Sequence, residues 1–490
     1  MKQHRYRSFD GYITIVSIFI FSILLTLVMT LITGVQKSTM QVEAELALDT
    51  ACHSALAEYH QELLSQYDLF FIDVAYGKEE ADIAELEKHI RYYANKNLEN
   101  TNFWDIVTTD ASVEYAQMAL DESGEILEMQ MLEYMENKLG LDMLDGLKET
   151  YSFVLSGNKE REELLKTRDE NQKRLDRERT PVKVTYKEEY DAETGETKQV
   201  EIREEVPIVN PAENVNQNRN KGILALVTRN ASEISPVATD LNLYYSKRGR
   251  TIEGSGYLID DHLTEGNELV DELLKILYIQ EKCGCYVEQK EDSFMKYQQE
   301  YILCGKDNDM DNLKETVYKI VALREATNAA YLYSDSSKRA EISALAASVA
   351  AVAVAPHIQP MLETSILFAW AYMESLYDVR VLLDGGKVPL IKTGENWNTD
   401  LSIILNSQNM ETGKSSERGF SYEDYLKIFL YMEDGEKRIN RVVDIIEMDI
   451  RQKPLNEHFK MDGCLSAFWV NGFFISGHGH TCDITRLYTY

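Results

Sequence analysis

The chain has 490 residues, 51 Lys and Arg against 82 Asp and Glu, a formal net charge of −31, and 44% hydrophobic residues with only 8 prolines. That length holds one large domain or two to three ordinary ones, and that composition excludes a disordered chain. So much negative charge sets the bulk of the protein against nucleic acid and anionic surfaces; solubility is its simplest use.

Met1–Gly11 carries Lys2, Arg5 and Arg7 against Asp10, and then the run Tyr12–Thr33 holds no charged residue and no proline. Twenty-two residues at helical rise cover about 33 Å, close to the roughly 30 Å hydrocarbon core of a bilayer. The run is too long for the core of a cleavable signal, so it reads as a retained anchor over 12–34. Basic residues ahead of it predict a cytoplasmic N-terminus and an exported acidic body.

Beyond Gly34, the stretch 35–72 reads as a stalk helix continuous with the anchor. Leu48, Cys52, Ala55, Tyr59, Leu63 and Tyr67 recur at three- and four-residue steps and form one apolar stripe. A single rod over Tyr12–Tyr67 would be about 80 Å long. The stripe packs either on the protein's own body, the plainer reading, or along neighbouring single-span helices. The first part of the ectodomain, 73–122, contains an amphipathic helix over Lys78–Leu98 and a strand near Ser112–Met118.

Residues 123–256 read as a helical arm with an inserted β-hairpin. Asn158–Arg179 is so charged that only Leu164, Leu165 and Leu175 could seat it, which predicts an exposed coiled-coil arm. Alternation in Pro181–Lys187 and Lys198–Val206, around Asp191–Gly195, predicts the hairpin over 181–206. Residues 257–490 read as a compact, mainly helical domain. Its helices are Leu263–Gln280, Met310–Leu332, an alanine-rich Ala340–Ala355 expected between other helices, Leu367–Leu383, and two within Ser421–Arg451. A short strand is expected at Lys387–Ile391, followed by a β-prone tail, Ala467–Ile475 and Cys482–Tyr490. The fold class is therefore mainly α (α+β).

The nearest pattern to a metal site is His478, His480 and Cys482, at alternate positions that could each reach one zinc or copper ion. A closed site needs a fourth ligand, and an exposed loop accounts for the pattern more simply. Asp307, Asn308, Asp309 and Asp311 lack the glycine and closing glutamate of a calcium loop and suit a helix start. Glu374, Asp378 and Arg380 are either a paired-carboxylate site or, as we favour, part of a buried salt-bridge network completed by Arg324 or Lys387.

Six cysteines permit disulfides outside the cytoplasm. Cys464 with Cys482, and Cys283 or Cys285 with Cys304, are the candidate pairs; reduced, buried thiols fit equally well, and Cys52 reads as core. No nucleotide, hydrolase or metalloprotease motif is present, and no cofactor, small-molecule substrate or nucleic-acid partner is indicated.

The stretches GYITIVSIFIFSILLTLVMTLI, ALDTACHSALAEYHQELLSQYDLFFI, EYILCGKDND, LREATNAAYL and AWAYMESLYDVRVLLDGGKVPLIK resemble an uncharacterised, membrane-anchored family of Gram-positive anaerobic (clostridial-type) bacteria. Its members are similar to TadE/TadG-type pseudopilins of the tight-adherence (Flp, type IVc) pilus. The resemblance implies a single-pass, non-enzymatic assembly component. Its implied partners are the membrane and other Tad or pilin-like single-span proteins, or further copies of itself. It also implies a leader cleaved between Gly11 and Tyr12, although Val16 stands where the pilin pattern has glutamate. The alternative is a membrane-tethered ectoenzyme or metal-binding surface protein.

Overall fold

The computed structural model describes residues 10–99, 105–139, 158–178, 182–190, 197–205, 208–219, 221–255, 268–353, 355–405 and 415–490. The basic leader before Asp10, the expected hairpin turn Asp191–Gly195 and residues 140–157 of the expected helical region lie outside them. The protein is mainly helical, 61% helix and 11% strand.

In chain order the helices are α1 (Asp10–Leu56), α2 (Gln61–Tyr67), α3 (Ile83–Leu98), α4 (Glu125–Lys138), α5 (Asn158–Arg177), α6 (Glu213–Asn218), α7 (Ile223–Val227) and α8 (Tyr245–Arg248). They continue with α9 (Glu268–Lys282), α10 (Gln298–Cys304), α11 (Asp309–Ser334), α12 (Ser336–Val352), α13 (Gln359–Leu383), α14 (Tyr422–Met432) and α15 (Gly435–Ile450). The strands are β1 (Ile72–Asp73), β2 (Val107–Met118), β3 (Val182–Tyr190), β4 (Thr197–Glu205), β5 (Cys464–Ile475) and β6 (Thr481–Thr489).

Two compact units result. One joins Met1–Gln130, Gly249–Thr264 and Ile450–Tyr490; the other joins Met131–Arg248 and Glu265–Asp449. The β-prone tail thus belongs with the N-terminal segments rather than with the helical domain expected over 257–490. The reason is pairing. β5 is the middle strand of an antiparallel sheet, with β2 on one edge (Val107↔Ile475 to Met118↔Leu465) and β6 on the other (Ala467↔Thr489 to Ile475↔Thr481). β1 extends the β6 edge at Ile72↔Leu465.

In the first unit, α1 begins as an apolar helix whose hydroxyls bond back into its own backbone. Thr26, Thr30 and Thr33 each donate to the carbonyl four residues earlier, at 2.8–2.9 Å. That leaves no hydroxyl of these three seeking water inside an apolar span. From Met40 onward the same helix is buried on one side. Ala44, Ala47, Ala51 and Ala55 let backbones approach, while Met40, Leu48 and Cys52 fill the space between. The opposing surface is the β5 face bearing Phe468, Val470 and Phe474, together with Leu86, Ile90, Ala94 and Leu98 of α3. The plainer reading of the stripe is correct.

The helix is nevertheless shorter than expected. α1 stops at Leu56 after 47 residues, about 70 Å. The chain turns before α2, which starts where His60 Nδ1 accepts from Leu63 N–H. No proline causes the break. The Glu58 carboxylate just past the end accepts from Tyr76 OH (3.0 Å), Tyr93 OH (2.5 Å) and the ring of His89 (2.9 Å), which fixes the turn that follows the helix. Leu63 and Tyr67 are buried on α2, and Tyr59 lies half-buried in the turn.

In the second unit, α13 is the central helix, buried on all sides from Ser365 to Val379. α11 packs beside it, with Asn308 capping α11 by accepting from Asp311 N–H at 2.8 Å. The aspartate-rich turn is a helix start, as expected. The hairpin β3–β4 pairs Val182↔Glu205 through Tyr190↔Thr197, also as expected.

Three expectations fail here. α5 is not a free coiled-coil arm but lies on α13 and α11, with Leu175 buried and Asn171 donating to Met361 O at 2.9 Å. Arg168 and Arg219 both reach the buried Glu325 carboxylate, at 2.8 and 2.6 Å. Charge alone could not reveal that a buried anion would seat the charged helix. The alanine-rich α12 is one-sided: Ile342, Ala346 and Ala350 are buried, while Ala344 and Val352 face solvent. The strand expected at Lys387–Ile391 reduces to a single bridge, Val388↔Phe420.

Gly472 explains how closely α1 approaches the sheet. A Cβ there would lie 2.9 Å from the Phe474 ring and 3.1 Å from both Leu48 methyls. Gly472→Val should therefore destabilise the protein by about 1–3 kcal/mol by overpacking. Leu48→Ala in the same chain should recover part of that loss, measured by chemical denaturation; two strictly additive losses would refute the close approach.

Candidate functional site

The densest polar constellation joins α11, α13, the loop after α13, and α14. Glu374 and Asp378 sit one turn apart on α13, as the sequence suggests, and neither is exposed. Asp378 Oδ2 accepts from Arg324 Nε and Nη2 (3.0 and 2.8 Å) and from Asn328 Nδ2 (3.0 Å). Its Oδ1 lies 2.6 Å from Lys392 Nζ, which also donates to Glu374 Oε1 at 2.7 Å.

Backbone N–H groups of Asn398 and Thr399 and both their side chains complete the Glu374 cradle at 2.8–3.0 Å. Arg324 spends its remaining donors on Pro389 O, Leu390 O and the Tyr425 hydroxyl. Two cations thus face two carboxylates with no opening to solvent, and Lys392 is 3% exposed. Such a cluster ties four segments together and offers a substrate no access.

The favoured reading of a buried salt-bridge network is what the structure contains, with one correction of partner. Lys392, not the exposed Lys387, supplies the second cation. Position 387 is held away by the turn at Gly385 and Gly386, and only the chain's return past α13 brings residue 392 back to it. Arg380 lies two positions beyond Asp378, about 200° around the helix, and so cannot share its face.

A second buried polar cluster surrounds α10, where Gln298, Gln299 and Glu300 are all buried. Glu300 Oε1 accepts from Tyr286 N–H and Tyr422 OH, both at 2.8 Å, while Oε2 has no hydrogen-bond partner among the described residues. Burial raises its carboxyl to about 7, the two donors offsetting only part of the desolvation. Nothing in the sequence pointed to Glu300, because a polar residue in a seven-residue helix carries no periodic signature.

The candidate metal ligands do not assemble. His478 and His480 belong to the β5–β6 turn, where Ser476 N–H donates to His480 O and His480 N–H to Ser476 Oγ. Cys482 lies in β6 against the sheet core. Among the described residues, no group of three or more His, Cys, Asp or Glu could hold a metal ion. Asp309 is occupied internally, accepting from Ser235 Oγ and from the N–H groups of Lys296 and Tyr297.

All six cysteines are free thiols. The pairing Cys464–Cys482 is excluded by register: Cys482 stands opposite Phe474, ten residues along β5 from Cys464, about 30 Å away, whereas bridged Cα atoms lie within about 7 Å. Cys304 lies against Thr316 (Sγ···Oγ1 3.3 Å), with no bridge to Cys283 or Cys285. Burial pushes Cys304 up to about 11 and Cys52, Cys283 and Cys285 higher still, which leaves these thiols inert. Cys52 is core, as read. Gly11 and Tyr12 fall in the first turn of α1.

The element with exposed, unsatisfied apolar surface is α1 itself. Tyr12–Leu56 is long and apolar enough to cross a membrane, and its apolar window is wholly unburied. Above the charge-free run, Val35, Val42 and Leu46 remain more than 60% exposed on the side opposite the sheet.

Two measurements test the buried clusters. Lys392→Met should cost about 3–5 kcal/mol by leaving two buried carboxylates with one cation, read by denaturation; a loss below 1 kcal/mol would refute its pairing role. For Glu300, the folded value lies above the ordinary 4.5, so the acid form favours folding. Stability from this group is full below pH 4.5 and lost as pH rises through about 7, amounting to roughly 3 kcal/mol. Relative to Glu300→Gln, the wild-type protein should therefore lose stability across pH 4.5–7; parallel curves would refute the assignment.

No curated protein and no solved structure matches the chain. A model of a family of unknown function, DUF5702, matches residues 201–474, which is more than half of the chain and runs from β4 through the end of the β5 core. The chain belongs to the DUF5702 family.

Proposed function

We propose that this protein is a non-enzymatic, membrane-anchored structural component of a surface assembly, with its body outside the cytoplasm, similar in plan to the pseudopilins of Tad/Flp-type pili. One observation carries the reading: α1 runs without a break from an exposed apolar half into a half that is built into the sheet core. A signal sequence destined for removal has no reason to share one helix with the core of a folded unit. Arg5, Arg7 and Lys2 ahead of the span favour a cytoplasmic N-terminus.

Partners would dock along the face of α1 that the sheet leaves open. Val35, Val42 and Leu46 fall at heptad-like spacing, so a helix rising from the same bilayer could follow them. The buried ion network and inert thiols serve rigidity in this reading, since a lateral assembly needs a head that keeps its shape.

The full chain, gently solubilised from expressing cells, should co-purify with other single-span proteins or with copies of itself. Val42→Glu with Leu46→Glu should reduce that recovery severalfold while leaving the thermal midpoint unchanged. Recovery of the wild-type chain as an isolated monomer would sink the proposal.

A further inference from the structure

The β5–β6 hairpin packs alongside α1 in the first unit. β6 climbs alongside α1 in the same direction, and its level can be read from successive contacts. Tyr490 OH bonds Leu56 O, the Tyr488 ring meets His53 edge-on at 5.7 Å, and Tyr488 OH bonds Asp49. Lower down, Arg486 pairs with Glu45 at 3.6 Å. At the foot of the strand, the Cys482 thiol is raised by burial and by Glu45 and Asp483, and lowered by Lys37.

Six residues of strand, from Tyr488 down to Cys482, span about 20 Å, which equals about thirteen residues of helix. Counting down from Asp49–His53 reaches residues 36–40 of α1, and the Cys482 environment, which includes both Glu45 and Lys37, puts the foot of the strand between those two residues. The turn Gly477–His480 lies lower again. The charge-free run of α1 ends at Thr33. A headgroup layer is about 5–7 Å thick on each side of the hydrocarbon, so the turn falls inside it.

We infer that the hairpin tip, Gly477–His480, rests on the phospholipid headgroup layer of the bilayer that α1 crosses. The inference stands on the anchor reading above. The chemistry suits a polar surface rather than the hydrocarbon interior. Gly477, His478 and Gly479 are exposed, and the tip holds no large apolar side chain that could insert. Lys37 on α1 and the two imidazoles can donate to lipid phosphate. Asp105, beside Gly477 at the start of β2, can accept from a headgroup amine; Asp483 and Glu45 stand one step farther up.

Two contacts would do what one helix cannot. A single helix leaves the first unit free to tilt and turn together with α1, whereas a tip on the surface sets the inclination of both and thus the direction in which the open face of α1 points.

The test places a photoreactive benzophenone side chain, one position at a time, at 24, 478 and 455 of the full chain in nanodiscs of phosphatidylethanolamine and phosphatidylglycerol. Position 24 lies within the apolar run. Leu455 is 84% exposed and lies next to Asn456, which bonds His60 beyond the far end of α1, about 30 Å from the tip. Irradiation should add one lipid mass to the protein at 24 and at 478, with no gain at 455. Adducts at 24 without any at 478, adducts at 478 only to protein, or equal yield at 478 and 455 would overturn the tip contact and leave the anchor standing. Absence of adducts at 24 would overturn the anchor and the inference together.

Discussion

One helix has two surroundings: its apolar first half is open on all sides, and its second half lies on a sheet. The backbone of α1 meets its own hydrogen bonds throughout, so nothing in its main chain distinguishes the part suited to lipid from the part suited to a protein core. Side chains make the distinction. Large apolar residues surround the first half, while alanines at 44, 47, 51 and 55 thin one side of the second so that a sheet can lie on it. Gly472 on the facing strand completes the fit by presenting no side chain where Leu48 approaches. The orientation of the first unit is thereby tied to the direction of α1.

The sheet that receives α1 is assembled from segments more than 340 residues apart, β2 and β5. Closing so long a loop costs only logarithmically more entropy than closing a short one, so the insertion of a whole helical unit between them is tolerable. The second unit then stabilises itself. Its central helix carries charged groups into a dry interior, where Arg324, Lys392, Glu374 and Asp378 neutralise one another and each carboxylate oxygen meets a donor or a cation. Such clusters do little for net stability against apolar alternatives, whereas removing one partner is costly because it leaves a buried charge unpaired.

Neither cluster resembles a reaction centre. The carboxylate pair is enclosed, the Cys52, Cys283 and Cys285 thiols are buried and hard to ionise, and among the described residues no group of three or more His, Cys, Asp or Glu could hold a metal ion. What α1 presents to its surroundings is apolar surface: a charge-free run and, just above it, Val35, Val42 and Leu46.

The long apolar helix, the amphipathic helices and the hairpin over β3 and β4 were legible from residue order because each rests on local patterning, which a chain displays without folding. The helix start at Asn308 and the union of Arg324 with Asp378 were legible for similar reasons, the first from local capping chemistry and the second from the cost of burying unpaired charge. Only tertiary structure decided the rest. Glu58, in the turn after α1, is held by three donors from later in the chain, and Lys392 replaces Lys387 because the chain turns back past α13. Cys464 and Cys482 stand far apart because strand register separates them, and the tail leaves its neighbours in sequence to pair with β2. In each case the deciding partner is distant in sequence, and periodicity carries no information about which distant group arrives.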